Sequence, residues 1–384
     1  MQWRFNPADW QQPFSLAAPL AVESTETLTV LGQQLLQQSS PTLKALGFWL
    51  RPANLQAMAH TLPPHGHWRP RGQVLQIAPA NVDLLFIYVA LLALWMGNHC
   101  WVRLASQQGE DEAVLITLLE QLSQQPEHQS CLTRLHLFRS EHNEPALQAL
   151  AAAVDMRVFW GSDASLARLS QWPKSAHCQE LLMGHKHSLA LLKAEAILQQ
   201  PAEHWAAAFI RDAFSLQQQA CSSPRTLVWV GTKEQVSEAQ QHFWQAISPA
   251  VPAWSEAALL ERELACQRLV LEGLLEADAA AGPQLGWQRC RVQCLSDAQQ
   301  QLHPGLGLFY ELSLQQLDEL ANQLAPVHQS ATFFGWQREE LVNWAVNHRV
   351  MGLDRIEPMG EALRFHPIWD GEALLPRLGR LLRA

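Results

Sequence analysis

Charge is scarce in this chain: Asp, Glu, Lys and Arg make up 16% of its 384 residues, against 48% apolar. Such a balance excludes disorder over most of the length and implies a large buried core. Basic clusters are also missing. Lys and Arg total 27 against 36 Asp and Glu, the formal charge is −9, and no Lys/Arg run exceeds a pair. A nucleic-acid backbone would be repelled, so nucleic acid is excluded as a partner. The longest apolar run, Leu84 to Met96, is thirteen residues, short of the roughly 20 that span a bilayer. It reads as a buried core helix. The opening Met1-Gln2-Trp3-Arg4-Phe5-Asn6-Pro7 has no apolar segment of the kind a signal peptide needs, which predicts a cytoplasmic protein. Cysteine is sparse and odd in number: Cys100, Cys131, Cys178, Cys221, Cys266, Cys290 and Cys294 are scattered, as expected of reduced thiols and not of a disulfide framework.

At roughly 150 residues per domain the length predicts about two domains. The first seventy residues read as a polar, Gln-rich helical lead-in. From Gly72 short apolar runs alternate with helix-length amphipathic ones, the rhythm of βαβ units on a parallel sheet. Strands are expected at 72–79, 100–105, 132–138 and 156–160, with helices at 84–96, 110–124 and 145–153 between them. A second α/β rhythm begins at Thr226, placing the domain change near residue 195. It comprises helices 233–246 and 255–279 and strands 226–231, 289–295, 306–312 and 328–334, after an apolar strand 188–192 and a helical stretch 201–217. A doubly wound sheet commonly takes a nucleotide at the carboxyl ends of its strands, yet no G-x-G-x-x-G fingerprint is present.

Three places could carry chemistry. Cys221, in Gln218-Gln219-Ala220-Cys221-Ser222-Ser223-Pro224-Arg225, lies between a helix and an apolar strand with polar, turn-forming flanks. Such a junction exposes a thiol to backbone N–H groups that favour the thiolate, whereas a lone cysteine is more often a small core residue. Asn81 follows the first strand; its amide suits an oxyanion donor, with a helix N-cap as the plain alternative. Gly161-Ser162 is either a close approach to a ligand or a loop. Cys290 and Cys294 have no His-Cys set to complete a metal site, so no metal is expected. His185 and His187, flanking Lys186, read as surface or cleft residues, and most of the 16 tryptophans as core or interface.

In order, Pro79-Ala80-Asn81-Val82, Gly97-Asn98, Val102-Arg103-Leu104-Ala105-Ser106, Phe159-Trp160-Gly161-Ser162, Gly184-His185-Lys186-His187-Ser188, the Cys221 segment, Pro358-Met359-Gly360-Glu361-Ala362-Leu363 and Trp369-Asp370-Gly371 resemble the aldehyde dehydrogenase superfamily. The branch they resemble is the fatty acyl-CoA reductase of bacterial luminescence, the LuxC type. The resemblance implies an α/β, aldehyde dehydrogenase-like fold with a Rossmann-type cofactor domain and an α/β catalytic domain. It divides the chain into 1–195 (lead-in and nicotinamide-cofactor-binding domain), 196–349 (catalytic domain) and 350–384 (a return segment packing near the domain interface). It makes Cys221 the nucleophile and gives the oxyanion to the Asn81 amide and the Cys221 N–H. Pro79, Arg103, Ser106, Gly161, Ser162 and Gly184 become cofactor contacts, with no need of the missing glycine fingerprint.

Two departures stand out. The superfamily's hydrolytic members carry a glutamate where this chain has Leu182, with Glu180 two residues earlier. A missing base protects an acyl-cysteine from water and suits exchange with a thiol carrier. The superfamily's ribose-binding glutamate has no clear match near His303-Pro304-Gly305. The expected reaction is therefore reduction of an acyl-CoA or acyl-carrier thioester to an aldehyde. NADPH is expected because Arg103 can pair with a 2′-phosphate and the first carboxylate beyond it is Glu110; NADH is the alternative cofactor. Alternatives of function are the oxidative, acyl-CoA-forming direction, or a non-catalytic acyl-relay subunit working with transferase or synthetase partners. A homo-oligomer is expected.

Overall fold

The computed structural model describes residues 1–78, 87–105, 109–141, 144–275, 286–369 and 371–383. The chain forms two units, one of residues 1–185 with 365–384, the other of residues 186–364.

In the first unit, β1 (Gln2–Phe5), β3 (Gln73–Ile77), β4 (His99–Arg103), β5 (Leu135–Arg139), β6 (Met156–Trp160) and β7 (Gln179–Met183) form a sheet ordered β1-β5-β4-β3-β6-β7; β2 (His67–Pro70) lies outside it. All neighbours are parallel except β1, which runs antiparallel to β5. The central strands are buried on both faces along their whole length, polar Gln73, Gln76, His99 and Arg103 included. Alternation still divides them. Val74, Cys100 and Val102 face one core while Leu75, Ile77 and Trp101 face the other. Helix Ile87–Trp95 is wholly buried, as its composition demands. Gly97 ends that stretch at φ +83°, and a Cβ there would meet the Ala17 carbonyl oxygen at 2.0 Å.

The following Asn98 is fully buried and uses its whole amide: Oδ1 accepts from Arg71 and Gly72 N–H at 2.7 and 3.2 Å, and Nδ2 donates to the carbonyls of Ala93 (2.8 Å) and Leu378 (2.9 Å). Leu378 belongs to the tail. After the two-stranded β14 (Ile368–Trp369) and β15 (Glu372–Ala373), helix Leu374–Leu378 leads into β16 (Gly379–Leu382), which pairs antiparallel with β2. Trp369 packs against Trp49, Tyr88 and Trp160.

A buried histidine pair fastens the N-terminal segment. His136 Nδ1 lies 2.6 Å from the Asn6 carbonyl oxygen and therefore donates to it, which leaves His136 Nε2 to accept from His99 Nε2–H at 2.7 Å. Trp101 stacks on His136 at 4.3 Å. Burial, then the neighbouring His136, pushes His99 down to about 4, and burial lowers His136 too.

The second unit is a six-stranded, all-parallel sheet of β8 (His187–Lys193), β9 (Pro224–Val230), β10 (Gln288–Val292), β11 (Leu308–Leu314), β12 (His328–Phe334) and β13 (Arg355–Pro358), ordered β10-β11-β9-β8-β12-β13. Leu189, Leu191 and Val228 face one apolar layer; Ala190, Leu192, Leu227 and Trp229 face the other.

Several expectations change. The unit boundary falls at His185/Lys186, not near 195, because β8 pairs with β9 and β12. The 350–384 segment divides: β13 extends the second sheet, and residues from Phe365 belong to the first unit. His187 is buried at the start of β8, not on the surface. Helix 201–217 is shorter, Ala206–Phe214, and helix 255–279 is Glu256–Leu271 among the described residues.

Candidate active site

Five of the seven cysteines are buried; Cys221 is half-buried and Cys294 exposed. Solvent access therefore leaves two thiols, and only Cys221 sits in a built loop. Helix Ala206–Phe214 ends in a 3-10 turn, Ser215–Gln218, where Leu216, Gln217 and Gln218 stand at φ 51°, 55° and 62°. Three consecutive side-chain-bearing residues in the left-handed region are held only where the surroundings over-determine them. Gln218 supplies that restraint. Fully buried, it donates from Nε2 to the carbonyls of Pro224 and Leu308, both at 3.0 Å, while Oε1 accepts from Gly307 N–H at 2.9 Å. Gln219 Nε2 reaches the Pro304 carbonyl at 2.8 Å, and Ser188 Oγ–H donates to the Cys221 carbonyl at 2.6 Å. The loop that carries Cys221 is thus clamped to β8, β9 and the turn before β11.

Those contacts place the thiol at the amino-terminal edge of the second sheet, opposite to the carboxyl-edge position at which open α/β sheets usually bind ligands. Sequence reading located the loop but not this edge, since topology decides it. Upstream, Asp212 is fully buried and accepts from the N–H groups of Gly360 (2.5 Å) and Ala362 (3.0 Å), while Arg211 Nε donates to the Gly360 carbonyl at 3.0 Å. Burial, against those two backbone bonds, pushes Asp212 up to about 6. This clamp gives the Pro358-to-Leu363 motif a place on the helix that enters the Cys221 loop. Nothing in local sequence marked Asp212.

In the first unit the proposed cofactor residues that can be placed converge on strand ends. Gly161 follows β6 and donates its N–H to the Met183 carbonyl at the end of β7 (3.3 Å). Ser162 caps helix Asp163–Ser170, accepting from Ser165 N–H and donating to Ser165 Oγ at 3.0 Å. Gly184 follows β7, and a Cβ there would stand 3.2 Å from Asp163 Oδ1. The glycines therefore keep the space beside that helix N-terminus free of side chains. A helix N-terminus open to approach in this way fits the pyrophosphate of a dinucleotide. Arg103 ends β4 but is buried, its Nε donating to the Ser140 carbonyl at 3.0 Å, and burial weakens its hold on its proton. Pro79, Asn81 and Ser106 lie outside the described residues. Leu182 is exposed, whereas Glu180 is occupied by Arg157 (3.3 Å) and Lys174. Among the described residues no cluster of His, Cys, Asp and Glu could hold a metal.

No helix among the described residues is long and apolar enough to cross a membrane. The fold is that of aldehyde dehydrogenases. An NADP complex of glyceraldehyde-3-phosphate dehydrogenase from Methanocaldococcus jannaschii is similar, with a TM-score of 0.64, 12% identity, and 94% of this chain and 88% of that one covered. An NAD-dependent benzaldehyde dehydrogenase from Corynebacterium glutamicum gives a TM-score of 0.61 at 14% identity over 95% and 85%. Aldehyde dehydrogenase 21 from Physcomitrella patens, in complex with succinate, gives 0.63 at 12% over 89% and 78%. No curated protein matches the sequence. The family model described as acyl-CoA reductase (LuxC) matches residues 50–381, the whole of the second unit and the first unit from residue 50, and the chain belongs to that family.

Proposed function

We propose that this protein reduces an acyl thioester, acyl-CoA or an acyl-carrier thioester, to an aldehyde through an acyl-enzyme on Cys221, with NADPH as reductant. The observation that carries the reading is the clamped, half-buried Cys221 loop within a chain of the acyl-CoA reductase family. The Cys221 sulfur attacks the thioester carbonyl, and the oxyanion is met by the Cys221 N–H and the Asn81 amide. The carbon–sulfur bond to the carrier breaks, and the carrier thiol leaves with a proton. A reduced nicotinamide, when bound, would supply the hydride that the acyl carbon takes up. Collapse of the resulting hemithioacetal releases the aldehyde and restores the Cys221 sulfur.

Gly161, Ser162 and Gly184 would hold the cofactor beside the helix at Asp163, and Arg103 would favour a 2′-phosphate. Because Leu182 occupies the place of the hydrolytic glutamate and Glu180 is already ion-paired, the acyl group is kept for reduction. The test is oxidation of NADPH with a panel of acyl-CoA substrates, together with intact mass after acyl-CoA treatment. Wild type should gain one acyl group, and Cys221→Ala none. An adduct that persists on the alanine variant removes the assignment.

A further inference from the structure

Arg225 lies four residues after Cys221, at the second position of β9. The β8–β9 ladder pairs Ser188 with Pro224 and then Leu189 with Thr226, so Arg225 is an extra residue on β9. A bulge of this kind takes a side chain out of the regular alternation and re-aims it. The result here is a cation in an unusual position. Arg225 is only 6% exposed, and among the described residues its guanidinium has neither a carboxylate in ion-pair range nor a hydrogen-bond partner. A buried charge left without a counter-charge is costly. Burial works against this one, and the ionisable groups that favour it are first Cys221 and then Tyr310. Tyr310 reaches it from β11. The His303 ring lies edge-on to Tyr310 at 4.9 Å, and Cys290 and Cys266 face Tyr310 from β10 and helix Glu256–Leu271. None of these is a carboxylate, so the anion that would complete the Arg225 environment is the Cys221 sulfur itself.

We propose that Arg225 is a positioning residue for the nucleophile: its guanidinium, fixed by the bulge, holds the Cys221 sulfur as an anion ready for attack. The S–H bond breaks, the electron pair stays on sulfur and the proton passes to water. This inference rests on Cys221 as the acylated residue, and the two are tested separately.

The experiment is the pH profile of alkylation by iodoacetamide, with sites assigned by peptide mass, from about pH 5 to 10 around the free-thiol value of roughly 8.5. Exposed Cys294 serves as the internal reference. In wild type the midpoint for Cys221 should lie below that of Cys294. Arg225→Gln should raise the Cys221 midpoint by about one unit or more, a roughly tenfold slower alkylation at neutral pH, with Cys294 unchanged, and Arg225→Lys should recover most of the loss. A wild-type midpoint at or above that of Cys294 overturns the proposal even if Arg225→Gln fails to fold, and so does an unchanged midpoint in a folded Arg225→Gln. Acyl-CoA labelling of Cys221 in wild type decides the acyl-enzyme on its own: labelling with an unmoved midpoint sinks only the role of Arg225, whereas a shifted midpoint without labelling sinks only the acyl-enzyme.

Discussion

Gln218 shows how much one side chain can fix. Its three hydrogen bonds hold the left-handed turn, the start of β9 and the start of β11 together. Gln218→Ala should cost roughly 3 kcal/mol in urea unfolding, because it strands a buried N–H and two buried carbonyls. It should also lower kcat at fixed acyl-CoA more than it changes KM, since the loop and not a substrate contact is disturbed. At Leu182 the opposite holds for stability. Being exposed, Leu182→Glu should leave the unfolding midpoint nearly unchanged, within about 0.5 kcal/mol. Its effect should appear as release of free carboxylic acid from acyl-CoA without cofactor, growing with pH as the new carboxylate ionises. Rapid acid release by wild type would mean that another base serves, and would remove the argument for a protected acyl-enzyme.

Among the elements, strand ends carry the candidate cofactor residues. Arg103→Ala should lower kcat/KM for NADPH more than for NADH; equal losses would assign Arg103 to packing against Ser140 alone. Central strands were legible because a parallel sheet covered on both faces demands short, mostly apolar runs, as in Met156–Trp160 and Leu308–Leu314. Three edge strands were not. Gln2–Phe5, Gln179–Met183 and Arg355–Pro358 carry mixed burial, and their pairing depends on partners far along the chain. The Cys221 loop announced itself by its flanking residues, and its resemblance carried the family. Asp212, Gln218 and the bulge at Arg225 left no local mark, since each owes its role to contacts or register set by the whole sheet.

For the whole molecule, the surroundings of His99 and His136 in the first unit and those of Asp212 in the second should answer acid in opposite ways. His99 and His136 bind protons less readily folded than unfolded, so their contribution to the first unit is present above the ordinary histidine range and is lost as pH falls toward about 4. A proton added to His136 would also set N–H against N–H across a 2.7 Å contact. Asp212, raised to about 6, behaves in reverse: its stabilising effect in the second unit is present at acid pH and is lost as pH rises through about 6. Hydrogen exchange followed by mass spectrometry at about pH 7 and pH 5 should show peptides 1–20 and 99–103 losing protection, relative to peptides 206–214 and 358–362, on acidification. Asp212→Asn should reduce the acid gain of peptides 206–214 and 358–362 and leave the loss in the first unit. Parallel changes in the peptides around His99 and around Asp212 would refute this division.

The bond from Asn98 to Leu378 has a further consequence, in time. A nascent chain must add 280 residues after the asparagine before its last partner exists, on the order of 15–60 s at ordinary synthesis rates. Residues 186–364, by contrast, are contiguous and need nothing that follows them. The later-made unit lacks none of its own residues once Arg364 is added, whereas the earlier one still has its buried helix Ile87–Trp95 short of the tail that covers it. Vectorial synthesis and order of completion run in opposite directions in this protein, and the interval between them is when a chaperone would find it.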